Sequence, residues 1–419
     1  MPHDPAQLEA DVRLLGAIAR PSASEGEREA AELIAARLRS SGHRASVERE
    51  RAHGGYWWPL GLLNVIALAG GALAIPDGRR RAARRWLGTT AGLFATAGLW
   101  DDLDVRRQWF RRRFLPHRAT WNVVAQAGDL NAQHTVLVVA HHDAAHSGLI
   151  FAPGLPELIG ERLPWLWDRV NRSPPLMYLV IGGPLLITLG SALGPRRLLG
   201  VGIALAGGSA LTFADIGVRP TVAGANDNLS GVAVVLALAR ALQHDPVRNL
   251  RVMLVSTGSE ESFEEGMRGF AAAHLAAMAR DKTKVVVVDT VGSPTLTLPE
   301  AEGMLVLRNY DPDLKALFSS CAVALGVRLR RGLRFSFSSD AQIGLSEGFP
   351  TVMLGSVDRY KAPSNYHWPT DTPENVHYGS VADAASLVEA VVRKLAERAL
   401  AEGASAERAQ PSAVEGACT

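Results

Sequence analysis

The stretch Val136 to Gly148, V-L-V-V-A-H-H-D-A-A-H-S-G, decides how this chain folds and where it works. Its first half is apolar and rich in β-branched residues, which predicts a buried strand, and the strand runs straight into three histidines and an aspartate. Open α/β sheets form their ligand crevices at the carboxyl ends of strands, so His141 and Asp143 fall where a metal or a reacting group would be held. Side chains alternate along a strand, which puts His141 and Asp143 on one face. His142 is then expected to line or support the site, and His146 to be a loop residue.

Working outward, each further candidate sits where a strand or helix stops. Gly224 to Gly231 reads G-A-N-D-N-L-S-G and places Asp227 in the turn before an apolar helix, Val232 to Leu242. The strand Leu250 to Ser256 leads into Thr257-Gly258-Ser259-Glu260-Glu261, and the strand Val285 to Val288 ends at Asp289. After the strand Thr351 to Gly355 comes a polar loop with Tyr366-His367-Trp368 and Asp371. Taken singly these residues are bland: Asp227 reads as helix-capping chemistry, Asp289 as a strand terminator, Glu260-Glu261 as a solvated face. Taken together they supply mixed imidazole and carboxylate ligands, a set that suits zinc.

These residues, in this order, resemble the co-catalytic zinc exopeptidases, the family of aminopeptidase Y and the bacterial leucyl aminopeptidases. The motifs that carry the resemblance are His-x-Asp (His141, Asp143), G-A-N-D-N-x-S-G (Asp227), Glu-Glu after a strand (Glu260, Glu261), D-T-V-G (Asp289), S-D (Ser339, Asp340) and Y-H-x-x-x-D-T (His367, Asp371). The resemblance as a whole covers Arg20 to Gly54 and nearly everything from Trp121, apart from one insertion. The resemblance implies that His141 and Asp289 hold one zinc ion, Glu261 and His367 a second, and Asp227 bridges them, with Glu260 as general base. Paired zinc ions polarise a scissile carbonyl and activate water, while a carboxylate beside them moves the proton. Asp143 would fix the tautomer of His141. A second acidic pair, Glu264-Glu265 before Gly266, imitates the family spacing. Glu260-Glu261 are preferred because they follow the strand end more closely.

The chain of 419 residues is 47% apolar, enough for one large α/β domain and an additional apolar part. A net charge of +2 gives no argument for nucleic acid, and Cys321 and Cys418 cannot build a disulfide framework. The additional part departs from the family. Tyr56 to Ile75 has no charge and Trp86 to Trp100 is a shorter apolar run, separated by Arg79, Arg80, Arg81, Arg84 and Arg85. Pro174 to Pro195 and Leu198 to Ala214 form a second pair around Arg196 and Arg197. About 20 apolar residues cross a bilayer, so the first and third stretches qualify outright and the others marginally. Trp57, Trp58, Trp86, Trp100 and Tyr178 suit interfacial belts.

Both expected hairpins interrupt the enzyme domain. His141 and Asp227 lie on either side of the second and must meet at one centre, so only an even number of crossings is possible. The expected organisation is a peptidase domain in three pieces (1–55, 119–150 and 217–401), transmembrane hairpins at 56–100 and 174–216, and a disordered tail at 402–419. The expected fold class is α/β, a mostly parallel mixed sheet with helices on both faces. Met1 to Arg20 reads as an amphipathic helix capped by Asp4 with Pro5 at its first position, not as a cleavable signal. Basic residues occur on both sides of the spans, and the reading leans to a multi-pass cell-membrane protein with a cytoplasmic catalytic domain.

The expected function is a membrane-anchored di-zinc aminopeptidase acting on peptide or peptide-like substrates, with the crevice near the bilayer surface. The alternatives are a dipeptidase or carboxypeptidase, a glutaminyl cyclase-like acyltransferase, and a non-catalytic membrane receptor or scaffold. Side-chain specificity and oligomeric state are not legible.

Overall fold

The computed structural model describes residues 3–75, 81–162 and 164–409. Arg79, Arg80 and the expected tail from 410 onward lie outside the described residues. The chain opens with α1 (Pro5–Gly16), where the Asp4 side chain accepts from the Ala6 amide at 3.0 Å and Pro5 takes the first position, as expected. Helix α2 (Glu25–Ser40) is capped by Ser24 and leads into β1 (Arg44–Ala52). The first apolar pair is α3 (Trp57–Ala74) and α4 (Arg81–Leu103), followed by the short α5 (Trp109–Phe114) and then β2 (Arg118–Gly128) and β3 (His134–His141). A second excursion contains α6 (Gly154–Arg162), α7 (Pro164–Arg169), α8 (Met177–Leu193) and α9 (Arg196–Val218).

The remainder alternates: α10 (Ser230–His244), β4 (Leu250–Thr257), α11 (Glu265–Ala273), β5 (Thr283–Val288), β6 (Thr295–Thr297), β7 (Ala301–Glu302), β8 (Arg308–Asn309), α12 (Pro312–Leu325), β9 (Leu329–Arg330), β10 (Arg334–Phe335), α13 (Ala341–Ser346), β11 (Thr351–Val357) and α14 (Tyr378–Ala409). Among the described residues, the main sheet has eight strands in the order β1-β2-β4-β3-β5-β11-β6-β9. Its centre, β4-β3-β5-β11, is parallel, but β1, β2 and the β11-β6 pair run antiparallel, so the sheet is mixed. A small sheet of β10-β7-β8 lies apart.

Alternation along β3 builds a core on each face. Val136, Val138 and Ala140 join Ile34 of α2, Val235 of α10 and Val388 of α14 on one side. Leu137 and Val139 point the other way, with Met267 and Phe270 of α11 and Ile343 of α13. This second core continues without a break into the apolar helices through Leu60, Leu63 and Leu99.

Each apolar excursion leaves and returns at adjacent points. Ala52 faces Arg118 in the β1-β2 ladder, on either side of the first. The Val222 amide donates to Ala145 and the Ser147 amide to Pro220, both at 3.0 Å, on either side of the second. The two pairs do not stand apart. Helix α3 packs on α4 and α9, and α8 packs on α4 and α9, making one four-helix bundle. Small residues permit this: a Cβ at Gly190 of α8 would stand 2.5 Å from the Leu199 amide nitrogen of α9. Near the far end, Arg85 donates from Nε to the Ser191 carbonyl at 2.8 Å and from Nη2 to that of Ala192 at 2.7 Å.

Among the described residues, two helices, α3 and α9, are long and apolar enough to cross a membrane. The third stretch is shorter than the sequence reading has it. Pro174 and Pro175 precede the helix, which begins at Met177, carries Pro184 in its interior and has 17 residues. The fourth stretch is longer, since α9 absorbs Arg196 and Arg197 and runs to Val218. At the carboxyl end, α14 continues to Ala409, past the expected boundary at Ala401. Alanine and glutamate favour helix even where no apolar period demands it.

Replacing Gly190 with valine should force α8 and α9 apart. The expected outcome is a loss of about 1–3 kcal/mol, read as a lowered melting temperature of the purified protein, because overpacking at a backbone contact cannot relax freely.

Candidate metal centre

The carboxyl ends of β3, β4 and β5 open on one side of the sheet, and the groups singled out in the sequence converge there. His141 is the last residue of β3, Glu260 and Glu261 follow β4, Asp289 follows β5, Asp227 precedes α10 and His367 lies in the loop after β11. His141 Nε2 stands 3.1 Å from Asp227 Oδ1, 3.8 Å from Glu260 Oε2 and 3.9 Å from Asp289 Oδ2. His367 Nε2 stands 3.2 Å from Asp227 Oδ2 and 3.0 Å from Glu261 Oε1. One oxygen of Asp227 thus faces each imidazole. His141, Asp227 and Asp289 form one three-donor cluster within 4.8 Å, and Asp227, Glu261 and His367 form another, sharing Asp227.

The donor set fits zinc. Two imidazoles and three carboxylates lie almost out of water, with each histidine at most 3% exposed. Glu261 Oε1 and His367 Nε2 have no hydrogen-bond partner despite their closeness. Buried polar atoms are ordinarily paired, so orphaned lone pairs aimed at a common point are what a cation would satisfy. Burial pushes the carboxyls of Glu260 and Asp289 well above the usual range, although His141 opposes it. Burial resists ionisation of Asp227 too, yet the hydrogen bond with His141 and the contact with His367 hold it below its ordinary value. Against the burial cost, the charge of Glu261 and then Asp227 lift His367 to about 10.

Supporting groups fix these positions. Asp143 accepts from the Glu260 amide at 3.0 Å and the Glu261 amide at 3.1 Å, receives the Ser22 hydroxyl at 2.7 Å, and lies 3.3 Å from His141 Nδ1. Asp371 accepts from the amides of Asn226 and Asp227 at 2.7 and 3.1 Å. The ring of Tyr366 stacks on His367 with centroids 3.9 Å apart. His142 points away and pairs with the Ser256 hydroxyl at 3.0 Å, while His146 meets the Arg219 carbonyl at 2.8 Å. Glu264 binds Ser338 at 2.5 Å, and Glu265 meets His53 at 2.5 Å and Arg111 at 3.5 Å, so neither enters the clusters.

Sequence reasoning gave no role to Arg20, which is fully buried. It donates to the carbonyls of His142 at 2.6 Å, Ala223 at 2.7 Å and Gly224 at 2.8 Å, tying the turn after β3 to the turn holding Asp227. A lone arginine after a helix carries no signal of this, because its partners are backbone atoms from distant segments. Backbone strain clusters here as well. Ser259, Phe263, Glu264, Thr290 and His367 all have φ between 50° and 60° without being glycine.

A cavity of about 570 Å³ opens over the clusters. Its apolar wall includes Tyr56, Phe151, Met177, Met304, Phe337 and Trp368. Met177 is the first residue of α8, so the cavity reaches the foot of the helix bundle.

Comparison with solved structures places the chain in the zinc-exopeptidase fold. It is similar to an aminopeptidase from Aneurinibacillus sp. strain AM-1, with a TM-score of 0.54 at 14% identity over 93% of each chain. It is also similar to BSAP, a zinc aminopeptidase from Bacillus subtilis, with a TM-score of 0.52 at 14% identity over 94% of this chain and 95% of that one. A Bacteroides thetaiotaomicron glutaminyl cyclase bound to N-acetylhistamine gives a TM-score of 0.54 at 11% identity over 94% and 98%. Residues 210–392 match peptidase family M28, so the resemblance to the co-catalytic zinc exopeptidases holds in sequence as well as in fold. That segment contains Asp227, Glu260, Glu261, Asp289 and His367, whereas His141 and Asp143 precede it. Comparison with curated proteins gives no match.

Beyond the clusters, burial raises Glu302 from 4.5 to about 7, although Tyr310 and Ser339 donate to it. Between those values the folded chain binds more protons than the unfolded one, so this group makes stability fall as pH rises through that window. Glu302→Gln should therefore gain in melting temperature relative to the parent from about pH 5 to about pH 8. A difference independent of pH would contradict the assignment.

Proposed function

We propose that the chain is a membrane-anchored di-zinc aminopeptidase that removes the first residue of a peptide. The observation that carries this reading is the sharing of Asp227 between two three-donor clusters, which makes room for two ions. His141, Asp227 and Asp289 would hold one zinc ion, and Asp227, Glu261 and His367 the other. Zinc bound there supplies polarisation of the scissile carbonyl and acidification of water.

The chain's own groups do the rest. Glu260 Oε2 is left over once the two clusters that share Asp227 are filled, although it also groups with His141 and Glu261, and its carboxylate, made more basic by burial, can accept the proton of the attacking water and return it to the leaving amine. Asp143 holds both the His141 ring and the amides of Glu260 and Glu261, so it orients one ligand and the base together. The apolar wall of the cavity favours a substrate with an apolar side chain next to the scissile bond.

The membrane part of the proposal rests on α3 and α9, on the neighbouring ends of each excursion, and on outward-facing residues such as Leu73, Trp86, Leu93 and Leu211. A single crossing would part His141 from Asp227, so the bundle must cross an even number of times. Because Met177 both lines the cavity and starts α8, the catalytic crevice opens at the bilayer surface, where it can receive membrane-associated peptides. A cytoplasmic catalytic side is the orientation proposed, and a reporter fused after α14 reads it directly.

A second reading comes from the likeness to the glutaminyl cyclase. That chemistry would act on an amino-terminal glutamine without water. The doubled cluster favours hydrolysis. A non-catalytic receptor would have no use for the orphaned donors around Asp227.

Purified protein should contain two zinc ions per chain, hydrolyse aminoacyl amides and lose activity to a chelator. Glu260→Gln should retain zinc and lower kcat by about 10²-fold or more. Cyclisation of glutaminyl peptides without aminoacyl hydrolysis would establish the second reading, and an intact kcat in Glu260→Gln would remove the base assignment. Chelation should also lower the melting temperature, since an ion that binds only the folded chain stabilises it by mass action.

A further inference from the structure

The turn Ser259 to Glu265 is gripped from two sides, and one of them does not belong to the peptidase domain. On the near side, Asp143 takes the amides of Glu260 and Glu261. On the far side, three consecutive carbonyls are each bound by the stem of the first apolar pair. The Tyr56 amide donates to Glu261 at 3.3 Å, Arg111 Nη1 donates to Ser262 at 2.6 Å, and Gln108 Nε2 donates to Phe263 at 2.9 Å. Tyr56 leads into α3, and Gln108 and Arg111 follow α4.

The grip is buried and stiff. Arg111 and Gln108 are fully buried. Arg111 is itself fixed by a fork onto Asp102 in the last turn of α4, with Nε to Oδ1 and Nη2 to Oδ2 both at 3.0 Å. It also lies 3.5 Å from Glu265, whose other oxygen meets the His53 ring. The Tyr56 ring stacks on that of Phe263 with centroids 5.0 Å apart and planes 6° apart.

Such a grip has a reason to exist. Ser259, Phe263 and Glu264 hold φ values of 50°, 60° and 55°, a conformation that side chains disfavour and that persists only where surroundings over-determine it. Without the stem, the turn would relax and move the carboxylates of Glu260 and Glu261.

We infer that Tyr56, Gln108 and Arg111, in the stem of the first apolar hairpin, are positioning residues that hold Glu260 and Glu261 in their working places. Seating of the helix bundle is thereby coupled to the geometry of the metal centre. The inference rests on the proposed roles of Glu260 and Glu261, and its test reads the turn itself as well as activity.

Gln108→Met removes one donor at nearly constant volume, and Arg111→Lys keeps the charge but loses the fork. In full-length, detergent-solubilised protein, Gln108→Met should speed hydrogen exchange at the Ser262, Glu264 and Glu265 amides by about tenfold or more while β3 amides stay protected. Its zinc should be lost at lower chelator concentration, and kcat should fall by about tenfold with KM within about twofold. Arg111→Lys should exceed these effects. If it fails to fold, Gln108→Met decides alone. Exchange and zinc retention both unchanged in folded Gln108→Met would overturn the inference, and so would faster exchange with unchanged zinc retention. If the parent protein hydrolyses no aminoacyl amide, the proposed function falls, while exchange and zinc retention still judge the stem.

Discussion

Asp227, Glu261 and Asp289 bring three carboxylates to a nearly dry point between two imidazoles, with Glu260 close beside them. Like charges brought together out of water repel strongly, and each lacks the solvation it has in the unfolded chain. Such an arrangement survives only where the backbone beneath it is held against relaxation and where a cation can answer the convergent lone pairs. Much of the architecture around it is explained by that constraint. Asp143 and Asp371 accept amides from the ligand-bearing turns, Arg20 ties two of those turns through carbonyls, and the left-handed residues Ser259, Phe263, Glu264, Thr290 and His367 lie among them.

The sheet and the helix bundle meet in one core. Leu137 and Val139 on β3 share it with Leu60, Leu63 and Leu99 of the bundle, so the apolar helices are packed into the α/β domain and not tethered to it. The ends of each excursion are neighbours, which keeps the α/β scaffold continuous while a large apolar body is inserted twice. The same arrangement puts Met177 at once in the cavity over the candidate metal centre and at the start of α8. The candidate metal centre and the apolar bundle are thus joined at one edge of the molecule, through the stem contacts of Tyr56, Gln108 and Arg111 and through the cavity wall.

Most strands and helices were legible because their signals are local. The β-branched run before His141, the Asp4-Pro5 cap and the apolar spacing of α14 each fix an element from a few neighbouring residues. The extents of α8 and α9 were misjudged where prolines and arginines at a turn were read as part of, or outside, a hydropathy window. The antiparallel flank of the sheet was not legible either, since a strand's direction depends on its partner.

The sequence by itself determined the class of fold, the candidate donors and the presence of two apolar insertions, because strand ends, residue chemistry and charge-free runs are written in order along the chain. Tertiary structure alone decided that the insertions form one bundle, that Asp227 faces both histidines, and that Arg20 and Arg111 hold the turns beneath the site. These last contacts join side chains to backbone carbonyls far away in the sequence. Any residue offers a carbonyl, so no pattern of residue types could announce them.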